Sequence, residues 1–418
     1  MVQRGFSLLF LAPFLIFGVL FPSEGMGVEM TPGRINARSA VLVEVSTGTT
    51  LFEQNADEVI EPASFTKVMT LYLVFEALRQ GVIHLDDPVY ISETAWRTGG
   101  SKMFVAVGTR VPLEDLIKGI TVVSGNDACV AVAEHIAGSV DAFVEAMNRK
   151  AIELKLTKSH FLTPDGLPLP GQVTTARDMA ALAVAYLQHF PESLRYHAME
   201  EFTYNNISQQ NRNGLLFKDP SVDGLKTGFV SAAGFHLVAT STREAMRLLA
   251  VVMGAATPRI REREAAKLLT FGFRSYALVQ PLPANQPITR VKVWKGVEDV
   301  LDLYPTETAS LLISHAQKKS LRWEVHSPEE VTAPIGSQQS IGEVVFYVDN
   351  EPRMTVPLSS RDAVGRAGWI KRTWQTGLQI QRANWRWLAG FGGGIVLIVM
   401  LRVFIPNRRS SLKRSRYS

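Results

Sequence analysis

The chain has 418 residues, 46% hydrophobic and 20% charged, an ordinary globular composition with room for two domains. Its formal net charge of +5 does not mark a nucleic-acid surface: seven basic residues, Arg386 to Arg416, follow Trp385 with no acid among them, which leaves −2 for residues 26–385. A single cysteine, Cys129, excludes an internal disulfide and reads as a small core residue, and the eight histidines show no metal-ligand spacing, so neither a metal nor a cofactor is expected.

In chain order, Arg4, the apolar stretch 6–21 and the small-residue site Ser23-Glu24-Gly25 predict a secretory signal over 1–25, with an uncleaved anchor as the alternative. Residues 40–45 and 49–53 read as a hairpin turning at Ser46-Thr47-Gly48. Pro62-Ala63-Ser64-Phe65-Thr66-Lys67 then opens a long apolar run that Gly81 closes, which predicts a buried helix. Ser64 falls in its first turn, where backbone N–H groups are free and the dipole is positive, and Lys67, three residues on, shares its face. A hydroxyl beside an amine on a buried helix can serve as a serine nucleophile without a histidine. The same Ser fits a plain N-cap, and Ser-x-x-Lys arises about once or twice by chance in a chain this long.

Strand-like segments at 88–91 and 109–111 follow, then helices over 113–121, 127–136, 141–154 and 175–189. Ser124-Gly125-Asn126 lies in a break between two of them, as a turn or cap or as side chains aimed into a cleft. From Asp223 the period changes: 225–230, 235–241 and 246–253 read as strands and 261–271 as a closing helix, an α+β pattern of antiparallel sheet and helical cluster. Lys226-Thr227-Gly228 sits on the first of these strands, where a Lys is by default an exposed edge residue. A linker at 281–287 precedes short alternating strands at 288–294, 298–303, 311–314, 321–325 and 343–348, a small all-β domain over 288–366. Residues 367–387, with Trp369, Trp374, Trp385 and Trp387 among basic residues, form an amphipathic juxtamembrane stretch. Residues 388–405 predict a transmembrane helix, with an interfacial anchor as the alternative, and 406–418 a basic cytoplasmic tail.

Ser-x-x-Lys, Ser-x-Asn and Lys-Thr-Gly, in that order in an exported chain, are the set of serine penicillin-binding enzymes. The stretch from Ala40 to Pro357 resembles the low-molecular-mass penicillin-binding proteins of the D-alanyl-D-alanine carboxypeptidase type, peptidase family S11. It also carries Thr175-Ala176-Arg177-Asp178, Asn211-Arg212-Asn213-Gly214 and Val222-Asp223-Gly224-Leu225. The resemblance implies a β-lactamase/transpeptidase-like catalytic domain over 26–280, the small all-β domain and a C-terminal membrane anchor. It implies that Ser64 attacks the carbonyl between the two D-alanines of a peptidoglycan stem peptide, or a β-lactam, with Lys67 as base, Ser124 as proton relay and Asn126 orienting substrate. Lys226, Thr227 and Gly228, with Arg212 and Arg261, would hold the terminal carboxylate, and the N–H groups of Ser64 and Phe229 would form the oxyanion hole. It places that domain in the periplasm, on the inner membrane.

The expected membrane-spanning tail departs from members of the family held only by an amphipathic helix, and two further departures lie near the cleft. Phe229-Val230 replaces a frequent His-Thr, and Asp165 stands in a segment, Thr163-Pro164-Asp165-Gly166-Leu167, that is commonly Asn-Pro-His-Gly-Leu. A class A β-lactamase would need an Asp in place of Gly125 and a deacylating Glu in a loop. An endopeptidase cutting peptidoglycan cross-links would use the same residues, and a non-catalytic penicillin-binding envelope protein would not need Ser64, Lys67, Asn126 and Lys226 intact.

Overall fold

The computed structural model describes residues 31–283 and 285–379; the expected signal over 1–25, the apolar segment 388–405 and the basic tail 406–418 lie outside them. The elements run β1 Ser39–Glu44, β2 Thr49–Gln54, α1 Thr66–Arg79, β3 Pro88–Tyr90, α2 Glu93–Arg97, β4 Arg110–Pro112, α3 Leu113–Thr121, α4 Asn126–Ala137, α5 Val140–Glu153, α6 Ala176–His189 and α7 Leu194–His197. Then come β5 Glu201–Tyr204, β6 Ile207–Gln210, β7 Val222–Val230, β8 Gly234–Arg243, β9 Met246–Ala255 and α8 Pro258–Ser275.

The central sheet has the order β2-β1-β9-β8-β7, and all its pairings are antiparallel. Alternate side chains of its inner strands leave on opposite faces. Val41, Val43, Leu249 and Val251 join the helical cluster, while Ala40, Leu42, Leu248 and Ala250 pack with Leu268 and Leu269 of α8. With both faces covered, the strands read as continuous apolar runs. Helix α1 is buried at every position from Thr66 to Phe75, as an all-round apolar helix must be. The expected α+β unit is therefore present, with its helices close to the expected bounds.

The second unit is all-β. Strand β10 (Tyr276–Val279) pairs with β13 (Leu311–Ser314), beside a sheet of order β14-β16-β17-β12-β11-β15. Here β11 is Thr289–Trp294, β12 Val300–Pro305, β14 Arg322–His326, β15 Glu330–Thr332, β16 Ser340–Val348 and β17 Glu351–Ser359. Its core, around Val291, Leu303, Val344, Phe346, Val356 and Leu358, is separate from the two above. A helix over 369–379 follows, with Trp369, Ile370 and Trp374 exposed. Among the described residues no helix is long and apolar enough to cross a membrane.

The β5–β6 hairpin has no counterpart in the periodicity. Its strands are short and largely polar, but its turn, Asn205-Asn206, has φ of 48° and 61°. Asparagine tolerates such positive φ, and paired Asn is the signal that could have marked the hairpin.

Candidate active site

The segment that delivers Ser64 is a single 3-10 turn, Ala63–Phe65, running into α1. Ala63 is held at φ 50°, a left-handed conformation that costs a non-glycine residue about 1–2 kcal/mol. Tight surroundings impose it. Gly166, at φ 82°, comes so close that a Cβ there would meet the Ala63 carbonyl oxygen at 1.9 Å. One helical turn on, Lys67 is fully buried. Its Nζ contacts Ser64 Oγ at 3.0 Å, Asn126 Oδ1 at 2.7 Å and the Asp165 carbonyl oxygen at 2.6 Å. A neutral amine has two hydrogens and one lone pair. With both carbonyl-type oxygens served by those hydrogens, the lone pair is left for the Ser64 hydroxyl. Burial pushes the Lys67 pKa down, Cys129 and Asp165 oppose that, and the Arg212 charge adds to it.

The turn between α3 and α4 supplies the second wall. Ser124, at φ 62°, donates from its Oγ to Ser64 Oγ at 3.1 Å. Asn126 is locked in its amide orientation, because Nδ2 donates to the Gly99 carbonyl at 2.7 Å while Oδ1 faces Lys67. The expected side chains thus point into the cleft and do not merely cap α4.

The third wall is β7, the edge strand beside the Ser64 turn. Lys226 is 3% exposed, against the default for an edge lysine, because the helical cluster covers that face of the strand. Its Nζ donates to the Thr227 carbonyl at 3.1 Å. Burial first, then the charges of Lys67 and Arg212, push its pKa well down. Arg212 Nη1 donates to Ser101 Oγ at 2.6 Å, and Arg261 Nη2 donates to the Arg212 carbonyl at 3.0 Å. Burial lowers both guanidinium pKa values. None of the three cations forms a salt bridge with a carboxylate among the described residues. Ser64, Ser124, Asn126, Arg212, Thr227, Gly228, Phe229 and Arg261 line one cleft of about 710 Å³. A nucleophile with an attached amine at its floor and cations along one side suits acyl transfer from a substrate bearing a carboxylate. Among the described residues no cluster of His, Cys, Asp and Glu could hold a metal ion.

Several supports lie outside the three motifs. Asp127 is buried, and its carboxylate accepts from the backbone N–H groups of Met103, Phe104, Val105 and Ala128, which pins the loop that carries Gly99 and Ser101. Asp165 contributes its carbonyl, while its carboxylate accepts from Leu167 N–H within its own loop. His236 sits beneath Gly228. Gly254 N–H donates to its Nδ1 at 3.0 Å, so Nε2 carries the hydrogen and donates to the Glu61 carbonyl at 3.1 Å. One neutral ring thus joins two strands to the segment that delivers Ser64.

The comparisons agree with this geometry. A family model described as D-alanyl-D-alanine carboxypeptidase matches residues 26–257, and one described as the penicillin-binding protein 5 C-terminal domain matches 276–366. The chain is 40% identical over 368 residues to D-alanyl-D-alanine carboxypeptidase DacC of Escherichia coli (strain K12), covering 86% of this chain and 92% of that one. It is 38% identical over 382 residues to D-alanyl-D-alanine carboxypeptidase DacA of Haemophilus influenzae, covering 90% and 97%. The crystal structure of penicillin binding protein 5 from Haemophilus influenzae superposes with a TM-score of 0.70 at 39% identity, over 81% of this chain and 100% of that one. A Ser–Lys pair whose lysine is buried, a cleft flanked by cations and a match spanning both units lead to one conclusion: this chain belongs to the D-alanyl-D-alanine carboxypeptidase family, peptidase family S11.

Proposed function

We infer that the chain is a serine-type D-Ala-D-Ala carboxypeptidase that removes the terminal D-alanine of peptidoglycan stem pentapeptides and is acylated by penicillin. The observation that carries the catalytic assignment is the three-way contact of Lys67 Nζ with Ser64 Oγ, Asn126 Oδ1 and the Asp165 carbonyl. Ser64 Oγ attacks the scissile carbonyl as its proton passes to the Lys67 lone pair. The Oγ–C bond forms, the C–N bond breaks, and Ser124 hands its proton to the departing amine of D-alanine while taking one back from the Lys67 ammonium, which leaves both groups neutral. Water then cleaves the acyl ester and restores the Ser64 hydroxyl. The N–H groups of Ser64 and Phe229 stabilise the oxyanion, one such donor being worth about 3–4 kcal/mol. The substrate carboxylate keeps Lys226 charged, and that charge in turn holds Lys67 neutral.

Mass spectrometry of a pentapeptide stem checks the reaction. Loss of one alanine is expected; an unchanged pentapeptide beside cleaved cross-linked dimers replaces this reading with an endopeptidase. Ser64→Ala abolishes covalent labelling by a fluorescent penicillin, and labelling that persists removes Ser64 from its role.

The domain bounds and address are part of the same proposal: a signal over 1–25, a catalytic unit from 26 that ends before β10 and not at 280, because β10 pairs with β13, a β unit from 276 to 366, an amphipathic stretch over 367–387, a span over 388–405 and a basic tail. The composition of 1–25 and 388–405 and the exposed Trp369 and Trp374 support attachment to the inner membrane with the cleft on the periplasmic side. A C-terminal reporter active only outside the cytoplasm would refute the spanning tail.

A further inference from the structure

The cleft holds an apolar feature that the catalytic steps above do not use. Phe229 follows Lys226-Thr227-Gly228 on β7, and the residue is 54% exposed. It stacks on Phe235 of β8, directly across the hairpin, with ring centroids 4.3 Å apart and planes 27° apart. Phe235 in turn lies beneath the Arg261 guanidinium, whose carbon is 5.8 Å from the ring centroid. Both rings line the same cleft as Ser64, Thr227, Arg212 and Arg261. An exposed ring backed by a half-buried one, beside cations that lack a carboxylate partner, is complementary to a particular ligand chemistry. It suits a carboxylate whose α-carbon carries an apolar group.

We propose that the Phe229–Phe235 pair selects the side chain of the C-terminal residue that the enzyme releases, favouring apolar D-residues, including ones bulkier than alanine, over polar ones. This rests on the carboxypeptidase reading given above. The placement follows from the direction of the bound peptide. Its carboxylate goes to Lys226, Arg212 and Arg261, and its scissile carbonyl to Ser64. The side chain of the terminal residue lies one bond from the α-carbon, next to the carboxylate and therefore next to the aromatic pair. The acyl side of the peptide extends the other way from Ser64. A large, rigid apolar surface gains from apolar contact and offers a hydroxyl no partner, which supports a moderate preference of about 10- to 200-fold.

The test compares kcat/KM for acyl-peptides ending in D-Ala-D-Ala, D-Ala-D-Leu and D-Ala-D-Ser, with the full-length chain and with Phe229→Ala, Phe229→Asn and Phe235→Leu. Because each result is a ratio of two substrates on one preparation, partial misfolding cancels. The wild type should prefer D-Leu to D-Ser at the terminal position by about tenfold or more. Phe229→Ala and Phe229→Asn should bring that ratio to within about threefold of unity, and Phe235→Leu, which removes the ring behind Phe229, should shift it the same way by less. A ratio unchanged in both Phe229 variants, or a wild type that prefers D-Ser, overturns the proposal. A wild type that releases no terminal residue from any of the three peptides overturns the carboxypeptidase reading instead, so the two failures are distinguishable.

Discussion

The two units treat polar groups in opposite ways. In the catalytic unit Lys67, Asp127, Asp165, His197, Lys226, His236 and Arg261 are all buried, and several meet backbone or amide groups, not opposite charges. In the C-terminal unit the buried polar side chains among the described residues are Ser359 and Ser360, and ions pair at the surface, as Arg290 does with Asp302. Burying a charge without a counter-charge costs several kcal/mol. The first unit bears that cost because a depressed lysine pKa is what a base at neutral pH requires. The second has an ordinary β core and surface ion pairs, as a unit without chemistry of its own would have. The contrast locates function by where the fold tolerates electrostatic discomfort.

The largest effect expected from this contrast is at Lys67. Lys67→Met removes the base but keeps the stem, so the rate of Ser64 acylation by a fluorescent penicillin should fall by at least about 10³-fold while Tm holds or rises. A fall below tenfold would break the comparison. Phe346→Ala should destabilise the C-terminal unit by about 3–5 kcal/mol, seen in its own denaturation transition, and leave the acylation rate within about twofold. Coupled loss of both would mean that the two units are one.

Acid provides the third test. Burial lowers the pKa of His236 to about 4 and that of His197 to about 3, both below the ordinary histidine value. His197 Nδ1 donates to the Leu225 carbonyl, which opposes the shift, and burial outweighs that bond. Both pKa values are lower in the folded chain than in the unfolded one. Their stability contribution is therefore full above about pH 6.5 and is lost as pH falls towards 4, by about 3 kcal/mol for His236 alone. Calorimetry should show the catalytic unit losing Tm over that window, and His236→Asn should flatten the loss. An equal acid loss in the C-terminal unit would contradict the contrast. The smallest effect is at Arg290, where Arg290→Ala should move Tm by no more than about 2 °C.

Much of this was legible in the sequence. Spacing alone put Lys67 on the face of Ser64, and the switch from helical to alternating period at Asp223 marked the sheet. Lys226 was harder: a lysine on an edge strand reads as exposed until the helical cluster is folded over it. The loop carrying Gly99 and Ser101 is legible only through Asp127, a contact across two dozen residues with no periodicity to announce it. His236 belongs to the same class, since its two partners, Glu61 and Gly254, come from distant segments. Local pattern reveals what a helix or strand does to its own neighbours, and three-dimensional support for a site is mostly not of that kind.

Cys129 has a use that goes beyond its packing. It is the one thiol in the chain, it lies in α4 one turn from Asn126, and burial pushes its pKa up to about 12. A small alkylating reagent can reach it only when the helices around Lys67 part, and then only as the thiolate. The chain therefore contains its own stopwatch: the alkylation half-life at a single, naturally placed sulfur reports how often the catalytic core breathes, without a label and without unfolding the second unit.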